Sequence, residues 1–263
     1  MHGTVNDLAV SGAEPLWLSL GLVIEEGLEL AVLRRVVASV GDAAREAGVA
    51  VVTGDTKVVP RGAADRLFVT TTGIGRLRPG VELGPERVQP GDRVLVSGTI
   101  GDHGITVLAA REDLALDADV VSDTAPLHGL VGALLDSGAG VHFLRDATRG
   151  GVAAVLHELA DAAGVTVTLE EPALPVVPAV RGACELLGID PLHVANEGKL
   201  VAVVAAADAD RALAALRAHP LGARAALVGA TGAAGMGPVL VRGGLGALRV
   251  LDEPAGAPLP RIC

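Results

Sequence analysis

The stretch VHFLRDATRGGVAAVLHELADAAGVTVTL, Val141 to Leu169, decides the fold class. Val141 to Leu144 reads as a strand, Val152 to Ala163 as a helix and Val165 to Leu169 as a second strand. Between the first strand and the helix lies Asp146-Ala147-Thr148-Arg149-Gly150-Gly151, a short polar link ending in two glycines. The same alternation spreads in both directions. Upstream are a strand over Arg93 to Ser97 and helices over Ile105 to Glu112 and Leu127 to Ser137. Downstream are a helix over Val180 to Leu187, a strand over Leu200 to Ala205, a helix over Ala209 to Ala218 and glycine-rich strands up to Leu251. Strands interleaved with helices imply a layered α/β or α+β protein, not a bundle or sandwich.

The first third is built similarly. Asn6 to Gly12 reads as a helix and Leu16 to Ile24 as an extended apolar segment. A patterned amphipathic helix follows from Leu30 to Ala47, with Val32, Val36, Val37 and Val40 on its apolar face. Strands at Val49 to Val52 and Leu67 to Thr72 flank a turn at Gly54-Asp55-Thr56-Lys57 and a loop at Pro60 to Ala64. Pro79, Pro85 and Pro90-Gly91-Asp92 punctuate a linker, which divides the chain into 1–90 and 91–251. Residues 252–263 carry three prolines and one glycine and end in Cys263. A dozen residues of that kind reach on the order of 35 Å as a semi-rigid arm.

Composition narrows the function. At 263 residues and 50% hydrophobic, the chain has enough apolar side chain for a real core, as one large or two modest domains. No apolar run approaches the roughly 18 residues that span a bilayer, and the start lacks a signal-peptide pattern, so a cytoplasmic protein is expected. A net charge of −10 with 1% aromatics disfavours nucleic acid, which needs a basic footprint or stacking platforms. Two cysteines, Cys184 and Cys263, make neither a disulfide framework nor a zinc site. Cys184 lies on an apolar helix beside Val180 and Leu187 and reads as core.

Several polar groups have chemistry in them. Asp7, Asp55 and Asp146 each sit in a short polar segment between apolar elements, Asp146 at a helix start beside Gly150-Gly151. Each alone is an ordinary cap or turn residue. Together, beside Lys57 and Arg149, they suit a phosphate–metal site, where hard carboxylate oxygens meet glycine-lined backbone and helix N-termini. Neither a Walker loop nor a Gly-x-Gly-x-x-Gly after a strand is present. Of 21 Lys and Arg residues only Lys57 and Lys199 are lysine, and both fall inside these dense segments. Glu197, in His193-Val194-Ala195-Asn196-Glu197-Gly198-Lys199, is either a general base or a solvated turn charge. Cys263, a thiol on an arm, suits a group carrier, because a tether makes the encounter intramolecular. His103, His128, His142, His157 and His219 show no ligand spacing and read as structural.

Gly3-Thr4-Val5-Asn6-Asp7-Leu8-Ala9, Val52 to Val59, Arg145 to Val152, Val194 to Lys199 and the terminal Pro260-Arg261-Ile262-Cys263, taken in order, resemble the HypE family of hydrogenase maturation factors. These are carbamoyl dehydratases of the aminoimidazole ribonucleotide synthetase-like superfamily. The resemblance implies a two-domain fold, α/β plus α+β, whose N-terminal domain contributes strands to a dimeric barrel. It also implies ATP and Mg²⁺. A HypF-like carbamoyltransferase would carbamoylate Cys263; ATP-driven dehydration would leave a thiocyanate; and a HypC–HypD-like scaffold would take the cyanide for the iron of nickel–iron hydrogenase. On that resemblance Glu197 is the base, Lys57 neutralises charge at the amide and phosphate oxygens, and Asp7, Asp55 and Asp146 hold Mg²⁺. Asn6, Thr56, Arg149 and Gly150 are the phosphate neighbours. Lys199 matches the motif without an assignable role. Family members carry a further glycine-rich segment and a strand with a Thr-Asp-Ser-like motif before the first helix read here, so the N-terminal domain is expected to be incomplete at its start. Other readings are a superfamily kinase or synthetase, which has no use for a terminal thiol, and a non-catalytic module that docks maturation partners.

Overall fold

A computed structural model of the protein describes residues 1–111, 120–234 and 238–254. The tail positions 255–263, including Cys263, and Glu112 lie outside the described residues.

The first sheet has three strands in the order β2-β1-β3. Strand β1 (Ala13–Glu25) runs through its middle, parallel to β2 (Ala50–Val59) and antiparallel to β3 (Leu67–Leu77). Helix α2 (Leu30–Glu46) makes the crossover that two parallel strands require. The turn expected at Gly54 to Lys57 is instead the middle of β2. Its backbone stays paired to β1 from Gly54 opposite Leu20 to Val59 opposite Glu25, and this ladder overrides the local turn preference of Gly and Asp.

The second sheet has seven strands in the order β10-β9-β6-β8-β4-β7-β5. These are β4 (Arg93–Val96), β5 (Val141–Asp146), β6 (Thr166–Glu170), β7 (Leu200–Val204), β8 (Ala226–Gly232), β9 (Val239–Arg242) and β10 (Leu248–Val250). All its pairs are antiparallel except β6 with β9. Helix α5 (Gly151–Ala163) covers one face, burying Val152, Leu156 and Leu159 against Val94, Val167, Val201 and Val241. On the other face, α4 (His128–Asp136) and α7 (Ala209–Ala218) bury Leu130, Leu134, Ala212 and Leu216 against Leu95, Leu144 and Ala202. Helices α3 (Asp102–Arg111) and α6 (Pro178–Leu187) form a side cluster containing Ile105, Val180 and Cys184. Fully buried, with its thiol pKa pushed by that burial to about 11, Cys184 is an inert core residue.

Helix α1 (His2–Val10) joins the two halves. Val5 packs with Leu18 and Ala47 on the first sheet, while Ala9 and Val10 belong to the core beside α4. The helix starts four residues before the expected Asn6, so Asp7 stands in mid-helix and not near its start. Asp146, expected in the polar link that opens the helix, is the last residue of β5, which runs two residues past the expected Leu144, and α5 begins at Gly151, one residue before the expected Val152.

Candidate active site

Three carboxylates, Asp7 on α1, Asp146 at the end of β5 and Glu197 in the turn into β7, lie near enough to feel one another's charge. Strand pairing brings two of them together: Asp146 is opposite Leu200, three residues past Glu197. The links beyond the strands are zipped as well. Ala147 N–H donates to Lys199 O at 3.0 Å, and Asn196 N–H donates to Ala147 O at 3.1 Å. Asp146 is only 6% exposed, and burial, then the charge of Asp7, pushes its carboxyl above the ordinary aspartate range. Glu197 rises further, to about 7, through burial and the charges of Asp123, Asp146 and Asp7. The N-terminal ammonium and the Arg145 guanidinium oppose these rises without cancelling them.

The amides beside these carboxylates fix the backbone. Asn6 is fully buried; its amide donates to Ala125 O (3.1 Å) and Glu197 O (3.2 Å), and its oxygen accepts from Leu127 N–H (2.7 Å). Both donors being spent, Asn6 positions the Glu197 turn and has nothing left for a phosphate, contrary to the expected role. Asn196, not singled out in the sequence, does the same at the other end. It donates to Ala147 O (2.8 Å) and Val194 O (3.2 Å) and accepts from Gly101 N–H (2.8 Å). A small polar residue between an apolar run and an acid was its one legible signal.

Gly150 and Gly151 open α5 with left-handed backbone, φ 75° and 63°. A Cβ on Gly151 would stand 2.5 Å from Leu192 O and 2.6 Å from Val194 O, so only glycine lets this link close on the 192–194 segment. The first-turn N–H groups of a thirteen-residue helix face the link, a natural seat for anionic oxygens. Arg149 is exposed beside it.

The chain passes this spot again at its end. His157 Nε2–H donates to Leu251 O (3.1 Å) and His193 Nε2–H donates to Asp252 O (2.9 Å). Pro254 then lies 3.6 Å from the point where a Cβ on Gly150 would stand.

Asp55, Thr56 and Lys57 are not brought into this cluster within one chain. Asp55 pairs with Gly21 and Lys57 with Val23, both alternating away from Leu18 and Leu20, which face α1. Asp55 and Lys57 therefore stand on the open face of the first sheet, with Trp17, Phe68 and Ile74. Thr56 is on the α1 side; its N–H is bonded to Asp55 Oδ1 at 2.8 Å. Among the described residues no three His, Cys, Asp or Glu side chains converge as a ready metal centre. The buried Asp146, its carboxyl raised by burial and by the charge of neighbouring Asp7, nevertheless fits a hard cation shared with phosphate oxygens, the usual Mg²⁺ arrangement.

The chain matches the family AIR synthase related protein, N-terminal domain, over residues 1–77, and AIR synthase related protein, C-terminal domain, over 89–241. It is 54% identical over 261 residues to carbamoyl dehydratase HypE of Escherichia coli, covering 99% of this chain and 77% of that protein. A solved structure of HypE in complex with ATP superposes with a TM-score of 0.95 at 46% identity, covering 100% of this chain and 80% of that one. HypE in a HypE–HypF complex superposes at 0.93 with 45% identity, over 96% and 82% of the two chains.

Proposed function

We propose, from the premise that this chain belongs to the HypE family of carbamoyl dehydratases among the AIR synthase related proteins, that it dehydrates a carbamoyl group carried on its own Cys263. The observation that carries the reading is the tail's root. Pro254 lies 3.6 Å from where a Cβ on Gly150 would stand, on the link that follows Asp146, and nine residues remain to Cys263. Nine residues span up to roughly 30 Å, ample for a thiol to leave for a partner and return.

An amide oxygen is a poor leaving group. Transfer of the γ-phosphoryl of ATP to the oxygen of Cys263–S–C(=O)–NH₂ makes it a phosphate ester of the imidate and releases ADP. Removing the nitrogen protons as the C–O bond breaks expels phosphate and leaves Cys263–S–C≡N. The net change is loss of one water from the carbamoyl group, matched by hydrolysis of one ATP. Glu197 is the proton acceptor, since a carboxylate with a pKa near 7 is a stronger base than an ordinary glutamate. Gly150, Gly151 and Arg149 cradle phosphate oxygens. Asp7, Asp146 and Asp55 hold Mg²⁺, which supplies charge neutralisation along the triphosphate.

While Thr56 lies on the α1 side, Asp55 and Lys57 join from the open sheet face when a second copy covers it. Trp17 (49%), Phe68 (51%) and Ile74 (61%) are exposed there, too much apolar surface for a lone chain. Lys57 then neutralises charge growing on the amide and phosphate oxygens. Relatives solved with ATP and with HypF support ATP as co-substrate and a HypF-like protein as carbamoyl donor. A HypC–HypD-like iron complex is the cyanide acceptor, in the cytoplasm. Among the described residues no helix is long and apolar enough to cross a membrane.

Intact-mass measurement after incubation with ATP and a carbamoyl donor system tests this. Cys263 is expected to gain a carbamoyl group and then lose one water. A Cys263→Ala chain that acquires the same final mass refutes the assignment.

A further inference from the structure

Beneath the Glu197 turn lies a buried ion pair that the reaction just described does not use. Asp123 and Lys199 face each other at 3.2 Å, their side chains 3% and 12% exposed. Asp123 Oδ1 accepts the peptide N–H of Glu197 at 2.9 Å, while its Oδ2 faces the ammonium. The two segments are in hard contact: a Cβ on Gly198 would stand 1.8 Å from Asp123 O, so glycine is the one residue that fits there. Lys199 Nζ also donates to Gly198 O at 3.2 Å and its stem packs on Gly98, where a Cβ would stand 2.9 Å from Cε. Asp102 adds a second carboxylate nearby, bonded to the Thr99 hydroxyl and under the influence of both Lys199 and Asp123.

A buried ion pair is weak evidence for stability, because desolvation offsets its attraction. Its cost invites a functional reason. The Glu197 peptide is held from two sides, its carbonyl by Asn6 and its N–H by Asp123, so the backbone under the carboxylate has little freedom. Lys199 balances the charge that Asp123 would otherwise leave buried, and its stem passes close over Gly98, where a side chain would crowd it.

We infer that Asp123, neutralised by Lys199, is a positioning residue for the base: its carboxylate fixes the Glu197 peptide and with it the station of the Glu197 side chain. This rests on the reading of Glu197 as proton acceptor. The test uses the full chain, pre-carbamoylated on Cys263 and mixed with saturating Mg·ATP, with the loss of water followed by mass. Asp123→Asn with Lys199→Met and Asp123→Leu with Lys199→Met both remove the ion pair, but only the first keeps an acceptor for Glu197 N–H. The Asn pair is expected to dehydrate within about fivefold of the parent rate, and the Leu pair about 100-fold slower, the usual effect of misplacing a reacting group by an ångström. The ATP concentration for half-maximal rate should stay within about twofold in both, since Asp123 faces the base and not the phosphates. Rates are normalised to folded protein by denaturant titration, so a merely structural loss does not register. Equal rates in the two double variants overturn the inference. Glu197→Gln separates the two levels: if it dehydrates at the parent rate the base reading fails, whereas if it stalls at the carbamoyl stage while the double variants match each other, only the positioning role fails.

Discussion

Glu197 takes up its proton about two and a half pH units above the ordinary glutamate value of 4.5, because burial and three neighbouring carboxylates disfavour its charge. Two consequences follow, with defined signs. Catalysis needs the charged form, so the dehydration rate at saturating ATP should climb as pH rises through about 7 and level off above it. Stability runs the other way. Between 4.5 and about 7 the folded chain binds a proton that the unfolded chain has released, so this group's stabilising contribution is complete below 4.5 and lost as pH rises through 7. Glu197→Gln is therefore expected to be more stable than the parent at pH 8, by about 1–2 kcal/mol after allowance for solvent screening, and no more stable at pH 4.5. Denaturant midpoints at the two pH values check this; a gain that is equal at both removes the carboxylate as its cause. That Glu197 carries chemistry was legible in its motif. Its proton affinity was not, because Asp123 is 74 positions away and reaches it only through the fold.

At the scale of elements, sequence pattern succeeded where an element packs by its own period and failed where a neighbour decides. The α5 helix and its flanking strands were readable within a residue or two, since their apolar positions repeat and Gly164 stops the helix in a left-handed cap. The Gly54 to Lys57 segment was not, because its strand character comes from thirteen-residue β1 and not from its own side chains. The link between β5 and α5 is the element on which the site depends most. Gly151 has both a left-handed φ of 63° and backbone oxygens at 2.5 and 2.6 Å from any Cβ. Gly151→Ala should therefore cost about 2–4 kcal/mol, from backbone strain together with overpacking. It should also weaken ATP binding, because the helix N-terminus must back away from the 192–194 segment. Titration calorimetry with Mg·ATP on the folded fraction checks the second part. Full affinity in a destabilised variant would move the phosphate seat away from this link.

At the scale of the whole molecule, the candidate residues divide between two surfaces. Asp7 and Asp146 lie within electrostatic reach of Glu197, whereas Asp55 and Lys57 stand on the open face of the three-stranded sheet. No reading of the sequence could foresee this division, since it depends on which way β2 alternates once paired to β1. If that face closes on a second copy, its apolar and its chemical residues must fail together. Phe68 pairs with Val23, which pairs in turn with Lys57, so these three stand in one row across the sheet. A charge placed at Phe68 should therefore break association without touching the monomer's own core, where Phe68 has no part. Phe68→Glu is expected to sediment as a monomer, keep the parent's unfolding transition within about 0.5 kcal/mol as an exposed substitution should, and lose most dehydration. Lys57→Arg is expected to remain associated yet lose most activity too, because a planar guanidinium does not replace a compact ammonium at a crowded oxygen. A Phe68→Glu chain that is monomeric and fully active would show that one chain completes the site alone, and Lys57 would then need another explanation for its place on an exposed strand.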